Sequence, residues 1–295
     1  MKKKTVAILG ATGMLGSAVY ATLRDRYHLV IVVREQAKIG LLDERYGGLA
    51  DHRVVLFDTH ALQRDYFETF PNSRHAPTLE RILAGISNVD AVINCIGITP
   101  RHAEASESLF VNGGLPHVLS GVFGSRLIHI STDAVFDGID GAPYSEEAAP
   151  NPTDLYGLSK RMGEASDRSL ILRTSIIGPE IYGSVNLLEW VKKQTGSIRG
   201  YRKAMWNGVT TFEFARICGD IIEKRESFPE AGLYHLFSTD ISKYEMVTKI
   251  ARKYGVDVTV TPDDIVTIDR RLSTIHSVCE QLSVPSFDDM LARLP

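Results

Sequence analysis

Tyr156 and Lys160 are the two residues whose types and spacing point most directly to chemistry in this sequence. On a helix, residues four apart project from one face, so the phenol and the ammonium are expected side by side. A free tyrosine titrates near pH ~10, and a neighbouring ammonium stabilises the phenolate and lowers that pKa. The pair therefore predicts proton exchange with a carbonyl group at neutral pH. The YxxxK spacing alone also occurs on ordinary exposed helix faces.

Thr132 is the third candidate, because the predicted strand LIHI (127–130) runs straight into Ser131 and Thr132. A hydroxyl at the carboxyl end of a strand can donate a hydrogen bond to a substrate carbonyl. Lys160 can also hold the ribose hydroxyls of a nicotinamide cofactor and so fix the position of its ring. We therefore predict Thr132, Tyr156 and Lys160 as the catalytic residues of a carbonyl reductase.

Three glycines, Gly10, Gly13 and Gly16, lie between the first predicted strand and the first predicted helix. A turn of this kind needs backbone angles that glycine adopts cheaply, and the missing Cβ atoms let backbone N–H groups approach a pyrophosphate. The helix that follows offers unpaired N–H donors to the same anion. The alternative is a tight turn without a ligand. We predict a dinucleotide site formed by Gly10, Thr12, Gly13, Met14, Leu15 and Gly16.

The end of the second predicted strand bears on which dinucleotide binds. NAD-binding proteins commonly carry an acidic residue about 20 residues beyond the glycines, whereas this strand ends in Arg34. A guanidinium suits a 2′-phosphate, so NADP(H) is favoured over NAD(H). Two alternatives remain open: Glu35 holds a 2′-hydroxyl, or Arg34 stacks on the adenine without discriminating. Asp58, after the third strand, is predicted to contact the adenine amino group, with a helix N-cap as the competing explanation.

Apolar runs alternate with helical patterns through the first half of the chain, which predicts an α/β fold with a doubly wound parallel sheet of the Rossmann type. The predicted strands are 5–9, 29–33, 54–57, 91–95, 126–130 and 170–173, followed later by 233–237; the predicted helices include 16–26, 109–121, 211–224 and 243–254. We expect an NADP(H)-binding domain over 1–175 and a smaller C-terminal α/β substrate lobe over 176–295, with 209–237 packing back on the first domain.

Composition argues against several classes of protein. The chain has 33 Lys and Arg against 36 Asp and Glu, a net charge of −3, which lacks the basic excess of a nucleic-acid binder. Its three cysteines, Cys95, Cys218 and Cys279, are too widely spaced for a disulfide framework or a recognisable metal site. No apolar run approaches the ~20 residues that span a bilayer. We expect a cytoplasmic protein with no metal, membrane or nucleic-acid partner.

Several stretches resemble the extended short-chain dehydrogenases, and most of all the dTDP-4-dehydrorhamnose reductase group, which reduces nucleotide-linked 4-keto sugars. They are GATGMLG, VINCIGI, STDAVFDG, DLYGLSKRMGE, LILRTSIIG and GLYHLF. The resemblance implies that Thr132, Tyr156 and Lys160 are catalytic and that the segment from Gly10 to Gly16 holds the pyrophosphate. It also implies that Ile96 and Gly97 line the cofactor groove.

The resemblance further suggests how a substrate is bound. Related 4,6-dehydratases carry Asp-Glu after the catalytic threonine, whereas Asp133 precedes Ala134 here, which argues against dehydration. The implied substrate contacts are Thr132, Asp133, Ala134, Trp206 and Asn207. Trp206 would stack on a sugar or base and Asn207 would hydrogen-bond it, unless both only anchor the second lobe. The arginines of segment 269–273 would meet a diphosphate, with solvated charge as the alternative.

The sequence therefore predicts NADPH-dependent reduction of a 4-keto group on a nucleotide-activated deoxysugar, for synthesis of surface polysaccharide precursors. Two alternatives are a nucleotide-sugar epimerase with tightly bound NAD, and a non-catalytic NADP-binding subunit resembling the methionine adenosyltransferase regulatory subunit. The identity of the sugar and nucleotide, the product stereochemistry and the assembly stay open, with a homodimer among the options.

Overall fold

Seven short strands pair side by side into one parallel sheet in the order β10-β6-β5-β4-β1-β2-β3. The computed structural model describes residues 3–69, 84–99, 104–183 and 185–295. The central strands are almost wholly buried, as expected for a parallel sheet covered by helices on both faces. The strands of this sheet are β1 (Thr5–Leu9), β2 (His28–Val33), β3 (Arg53–Leu56), β4 (Ala91–Asn94), β5 (Leu127–Thr132), β6 (Leu170–Thr174) and β10 (Gly232–His235).

Helices connect these strands and cover the sheet. The predicted helix over 109–121 is interrupted, because Leu109–Gly114 is a π-helical turn that precedes Leu115–Phe123. Among the described residues, no helix combines the length and the apolar character needed to cross a bilayer. The α-helices span Met14–Leu23, Ile39–Tyr46, Thr59–Thr69, Ala105–Ser108, Leu115–Phe123, Leu155–Met162, Leu187–Lys192, Thr211–Glu223, Lys243–Lys253, Val278–Leu282 and Phe287–Ala292.

The order of the strands determines where a ligand can bind. From β1 the chain builds β2 and β3 on one side, and then crosses to place β4, β5 and β6 on the other. At such a reversal the connections leave in opposite directions, which opens a crevice at the carboxyl ends of the strands. The glycine turn after β1 and the segment after β4 therefore face each other across the crevice.

A second, smaller layer follows β6. In it β8 (Gly196–Trp206) pairs with β11 (Ile241–Ser242) and β12 (Val258–Asp269), while β7 (Ile176–Ile177) pairs with β9 (Val209–Thr210). Helix Thr211–Glu223 packs on the first helix, and β10 pairs with β6 in the main sheet. Neither β8 nor β12 was predicted from the sequence. The predicted boundary between residues 175 and 176 stays a prediction.

Candidate active site

One cleft runs along the carboxyl ends of β1, β4 and β5, with a volume of about 780 Å³. Ligand sites typically measure roughly 300–1,000 Å³, so this cleft lies in the upper part of that range. Gly10 lines an adjoining cavity. The predicted residues that line the cleft itself are Thr12, Gly13, Met14, Leu15, Arg34, Ile96, Gly97, Thr132, Asp133, Ala134, Tyr156 and Lys160.

The structure brings Thr132, Tyr156 and Lys160 together at this cleft. Thr132 ends β5; its hydroxyl accepts a hydrogen bond from Ala134 N at 3.2 Å and donates one to Asp133 Oδ1 at 3.2 Å. Tyr156 lines the same part of the cleft, near the Thr132 hydroxyl. Lys160 is only 4% exposed, and its ammonium donates to the carbonyl oxygen of Ile130 at 2.6 Å.

Local packing holds the helix Leu155–Met162 against the end of β5. Asp154 caps the helix, accepting a hydrogen bond from Gly157 N at 2.7 Å. A Cβ atom on Gly157 would lie 2.2 Å from the carbonyl oxygen of Ala134, so only glycine permits this approach. The helix can therefore present Tyr156 beside Thr132.

The pKa of Tyr156 differs from the expectation. A neighbouring ammonium was expected to lower it, whereas burial raises the pKa of Tyr156 to about 12, and the Thr132 hydroxyl opposes that rise only in part. The expected lowering is wrong for this geometry, because the Lys160 ammonium is directed at the Ile130 carbonyl. Burial also lowers the pKa of Lys160 to about 8, partly opposed by the Glu164 carboxylate.

Asp133 lies where the two layers meet. Burial raises the pKa of its carboxyl group, while the positive charges of Lys243 and Arg270 oppose that shift. Arg270 lines the cleft from the second layer, and within the described structure its buried Nε atom has no hydrogen-bond partner. Two positive charges, those of Lys243 and Arg270, therefore lie near the Asp133 carboxyl group at this end of the cleft.

The glycine turn leaves a cradle at the start of the first helix, Met14–Leu23. Gly10 has φ +77°, and its N–H donates to Val32 at 2.9 Å. In the described structure no side chain caps this helix at Gly13, so its first N–H groups are free for an anion. These features fit a dinucleotide pyrophosphate. Gly16 does not line the cleft; a Cβ there would lie 2.1 Å from the Gly10 carbonyl oxygen, so its role is close packing.

The residues predicted to contact the adenosine half of the cofactor fall into two groups. Arg34 and Glu35 line the cavity next to the glycine turn, and they are paired with each other at 3.0 Å. Asp58 does not line it. Its carboxylate accepts from His60 N at 2.9 Å at the start of the helix Thr59–Thr69. This contact fits the competing explanation, a helix cap, and the predicted adenine contact of Asp58 stays a prediction.

Trp206 and Asn207 do not line the cleft, and the substrate contacts predicted for them stay a prediction. Trp206 is 4% exposed and packs edge-on against Phe287, with ring centroids 5.6 Å apart. Asn207 accepts from Leu272 N at 3.0 Å and donates to Leu272 O at 2.9 Å. Both side chains anchor the second layer, where the resemblance implied sugar contacts.

Sequence reasoning missed Asn112, which lies in the π-helical turn. Its amide oxygen accepts from Ile98 N at 3.0 Å, and its nitrogen donates to Ile98 O at 2.8 Å and to Ser159 Oγ at 3.1 Å. It thus ties the segment after β4 to the helix that carries Tyr156 and Lys160. A π-helical turn is frequent at functional sites, but it leaves no reliable periodicity in a sequence.

A buried ion pair was also missed. Arg173 donates to both carboxylate oxygens of Glu164, at 2.9 and 2.8 Å, and Ser131 Oγ donates to Glu164 at 2.7 Å. Glu164 follows the helix of Lys160, and Arg173 lies in β6. The pair therefore joins the catalytic helix to two strands of the sheet, although both residues look like surface charges in the sequence.

Comparisons with known proteins agree with this architecture. The family model of the RmlD substrate binding domain matches residues 4–273. Methionine adenosyltransferase 2 subunit beta from Danio rerio is 32% identical over 271 residues, covering 86% of this chain and 75% of that protein. A dTDP-4-keto-6-deoxy-D-glucose reductase from Streptomyces niveus is 31% identical over 180 residues, covering 57% of this chain and 51% of that protein.

The same fold occurs in a solved structure of dTDP-4-dehydrorhamnose reductase from Bacillus anthracis, determined in complex with NADP. The likeness covers 100% of this chain and 99% of that chain, with a TM-score of 0.69 and 20% sequence identity. The predicted α/β fold with a Rossmann-type parallel sheet is therefore confirmed.

Proposed function

The chain belongs to the RmlD substrate binding domain family, and from that premise we propose that it reduces a keto group on a nucleotide-activated deoxysugar at the expense of NADPH. The observation that carries the proposal is the convergence of Thr132, Tyr156 and Lys160 on one cleft beside the glycine turn. We assign dinucleotide binding to 1–175 and substrate binding mainly to 176–295.

Different residues of the cleft would hold different parts of the cofactor. The glycine turn and the N-terminus of the first helix would hold the pyrophosphate, and Ile96 and Gly97 would line the groove beside it. Lys160 lies deeper in the same cleft, where its ammonium can hold the ribose hydroxyls of the nicotinamide half. When bound, the reduced nicotinamide supplies a hydride to the keto carbon.

Tyr156 supplies the proton. With a pKa of about 12, its phenol stays protonated at neutral pH and can donate to the developing alkoxide. The Thr132 hydroxyl, turned from Asp133 towards the substrate, donates a hydrogen bond to the same oxygen.

The charge at the substrate end supports an anionic substrate. Arg270 lines the cleft with a buried Nε atom that has no hydrogen-bond partner among the described residues, and Lys243 adds a second positive charge near Asp133. A nucleotide diphosphate matches this charge, because a guanidinium can bind two phosphate oxygens at once. The reductase from Streptomyces niveus, which acts on a dTDP-linked keto sugar by name, supports this substrate class.

NADP(H) is proposed over NAD(H). Arg34 lies at the cavity beside the glycine turn, where a 2′-phosphate would lie, and the Bacillus anthracis structure contains NADP. An Arg34→Asp variant should shift the preference from NADPH towards NADH. An unchanged ratio of the two dissociation constants would remove Arg34 from cofactor selection.

The direct test is a screen of cofactors in combination with keto sugars. Purified protein is mixed with NADPH or NADH and with dTDP-, UDP- or GDP-linked 4-keto-6-deoxyhexoses, and loss of absorbance from the reduced cofactor is followed. We expect stoichiometric NADPH consumption with at least one of these sugars. Binding of NADPH without consumption across the whole set would contradict the reductase assignment.

A regulatory role is the second candidate, and a specific observation favours it. The similarity to the zebrafish methionine adenosyltransferase subunit spans 271 residues, against 180 for the Streptomyces reductase. The two roles are separated by mixing the chain with a methionine adenosyltransferase catalytic subunit and measuring complex formation by size-exclusion chromatography. A stable complex, in a protein that binds NADP(H) but turns over no keto sugar, would favour the regulatory role.

A further inference from the structure

Lys38 occupies an unassigned position at the cofactor end of the cleft. It closes the short 3-10 turn Gln36–Lys38 that follows β2, and it lines the same cavity as Gly10, Thr12 and Arg34. Its ammonium donates to Glu35 Oε1 at 2.9 Å, the same oxygen that accepts from Arg34 at 3.0 Å. One carboxylate oxygen therefore holds two cations, and the group carries a net positive charge.

Tyr182 holds Lys38 from the other side. This residue comes from the chain after β7, and it lines the cavity opposite the end of β2. The Lys38 ammonium lies 4.6 Å from the centroid of its ring, a cation–π distance. Four residues later, Asn186 donates to the sulfur of Met14 at 2.9 Å, which fastens this part of the chain to the first helix. Lys38 is thus aimed across the cavity by groups from both layers.

We infer that Lys38, aimed by Tyr182, is a second cation for the 2′-phosphate of NADP(H), and that it determines cofactor selection together with Arg34. The inference rests on the proposed function. A 2′-phosphate carries about −1.5 to −2 charges and several strong acceptor oxygens, so it competes with the single charge of Glu35 for both cations. A 2′-hydroxyl is uncharged and cannot displace Glu35. Only the phosphorylated cofactor gains from Lys38.

The test measures binding without catalysis. Dissociation constants for NADPH, NADH, 2′,5′-ADP and 5′-AMP are determined by calorimetry for the wild-type protein and for Lys38→Met. We expect Lys38→Met to weaken NADPH and 2′,5′-ADP by roughly tenfold, the effect of one charge-assisted contact, while NADH and 5′-AMP change little. A Tyr182→Leu variant should weaken the same two ligands by a smaller factor.

Lys192 offers a matched control. Like Lys38, it pairs with a glutamate three residues earlier, Glu189 at 3.1 Å, and its ammonium lies 4.3 Å from a tyrosine ring, that of Tyr254. It does not line the cleft, so Lys192→Met should leave all four dissociation constants unchanged. A general loss of charge or of a cation–π contact is thereby separated from a contact with the phosphate.

The outcomes separate this inference from the proposed function. If Lys38→Met weakens NADPH and NADH equally, or changes neither, the inference is overturned while the reductase assignment stands. A wild-type protein that binds NADPH and NADH equally well also overturns the inference alone. A wild-type protein that binds no dinucleotide overturns the proposed function as well.

Discussion

At the scale of single residues, the central feature is that two titratable groups of the site are shifted apart by burial. The pKa of Tyr156 rises to about 12, and the pKa of Lys160 falls to about 8. Both shifts have the same cause, since removing water disfavours the charged form of each group. The result is a phenol that is neutral and an ammonium that is charged at neutral pH. That pair suits carbonyl reduction.

The shift of Lys160 predicts a pH dependence. Its usual pKa is 10.5, and lowering to about 8 means that the ammonium is present below pH 8 and is lost as the pH rises through that value. We therefore expect kcat/KM for the keto sugar to be level from pH 6.5 to 7.5 and to decrease tenfold per pH unit well above 8.

A second lysine provides the control for this profile. Burial also lowers the pKa of Lys243 to about 8, and Lys243 lies near Asp133. The decrease above pH 8 should persist in Lys243→Gln, because the prediction assigns it to Lys160. Its disappearance in that variant, or a wild-type profile that is level up to pH 10, would disprove the assignment.

At the scale of elements, the site depends on two close approaches that only glycine allows. Gly16 brings the first helix against the turn after β1, and Gly157 brings the catalytic helix against the end of β5. Added Cβ atoms would lie 2.1 and 2.2 Å from carbonyl oxygens, distances that no side chain reaches without backbone movement. The distances between these elements thus depend on two glycines, because a residue with a Cβ atom would not fit at either position.

A Gly16→Ala substitution tests this spacing. The new methyl group forces the helix away from Gly10, so the free energy of unfolding should fall by at least about 1–3 kcal/mol, measured by urea denaturation. Gly40→Ala is the matched control: Gly40 lies in the helix Ile39–Tyr46, and a Cβ atom added there would have no neighbour within 4 Å in the described structure. That variant should match the wild type or gain up to about 1 kcal/mol. Equal stability of Gly16→Ala and Gly40→Ala would contradict the packing role.

At the scale of the whole molecule, the anchoring of the second layer decides where Arg270 lies. Asn207 makes two hydrogen bonds with the backbone of Leu272, two residues beyond Arg270. An Asn207→Ala substitution leaves those buried backbone groups without a hydrogen-bond partner. We therefore expect the free energy of unfolding, measured with urea, to fall by about 1–3 kcal/mol. NADPH affinity should be unchanged, because Asn207 does not line the cleft. Wild-type stability in this variant would contradict the anchoring role of Asn207.

The sequence predicted the first layer more fully than the second, for physical reasons. Strands such as β1 and β2 are buried on both faces and read as continuous apolar runs. In contrast, β8 is largely exposed, and β12 contains Pro262, Asp263 and Asp264, residues that normally argue against a strand. Both were therefore missed.

The residues of the candidate site were also predicted only in part. Residues within a few positions of a glycine turn or a strand end, such as Thr12 and Thr132, were placed at the cleft by local pattern. Contacts between segments that are distant in the sequence could not be predicted. The pairing of Asn207 with Leu272 and of Glu164 with Arg173 depends on how the layers meet, which no local spacing encodes.

The most direct test follows the transferred hydride in the wild type and in a variant that lacks the proposed proton donor. Wild-type protein and Tyr156→Phe are supplied with NADPH deuterated at the transferable position of the nicotinamide and with the keto sugar identified by the screen. The wild type should place one deuterium at the former keto carbon for each NADPH consumed. Tyr156→Phe should bind NADPH equally well and transfer deuterium at least about 100-fold more slowly, because only the proton donor is lost. Normal transfer by Tyr156→Phe, or NADPH consumption without deuterium in the sugar, would contradict the account.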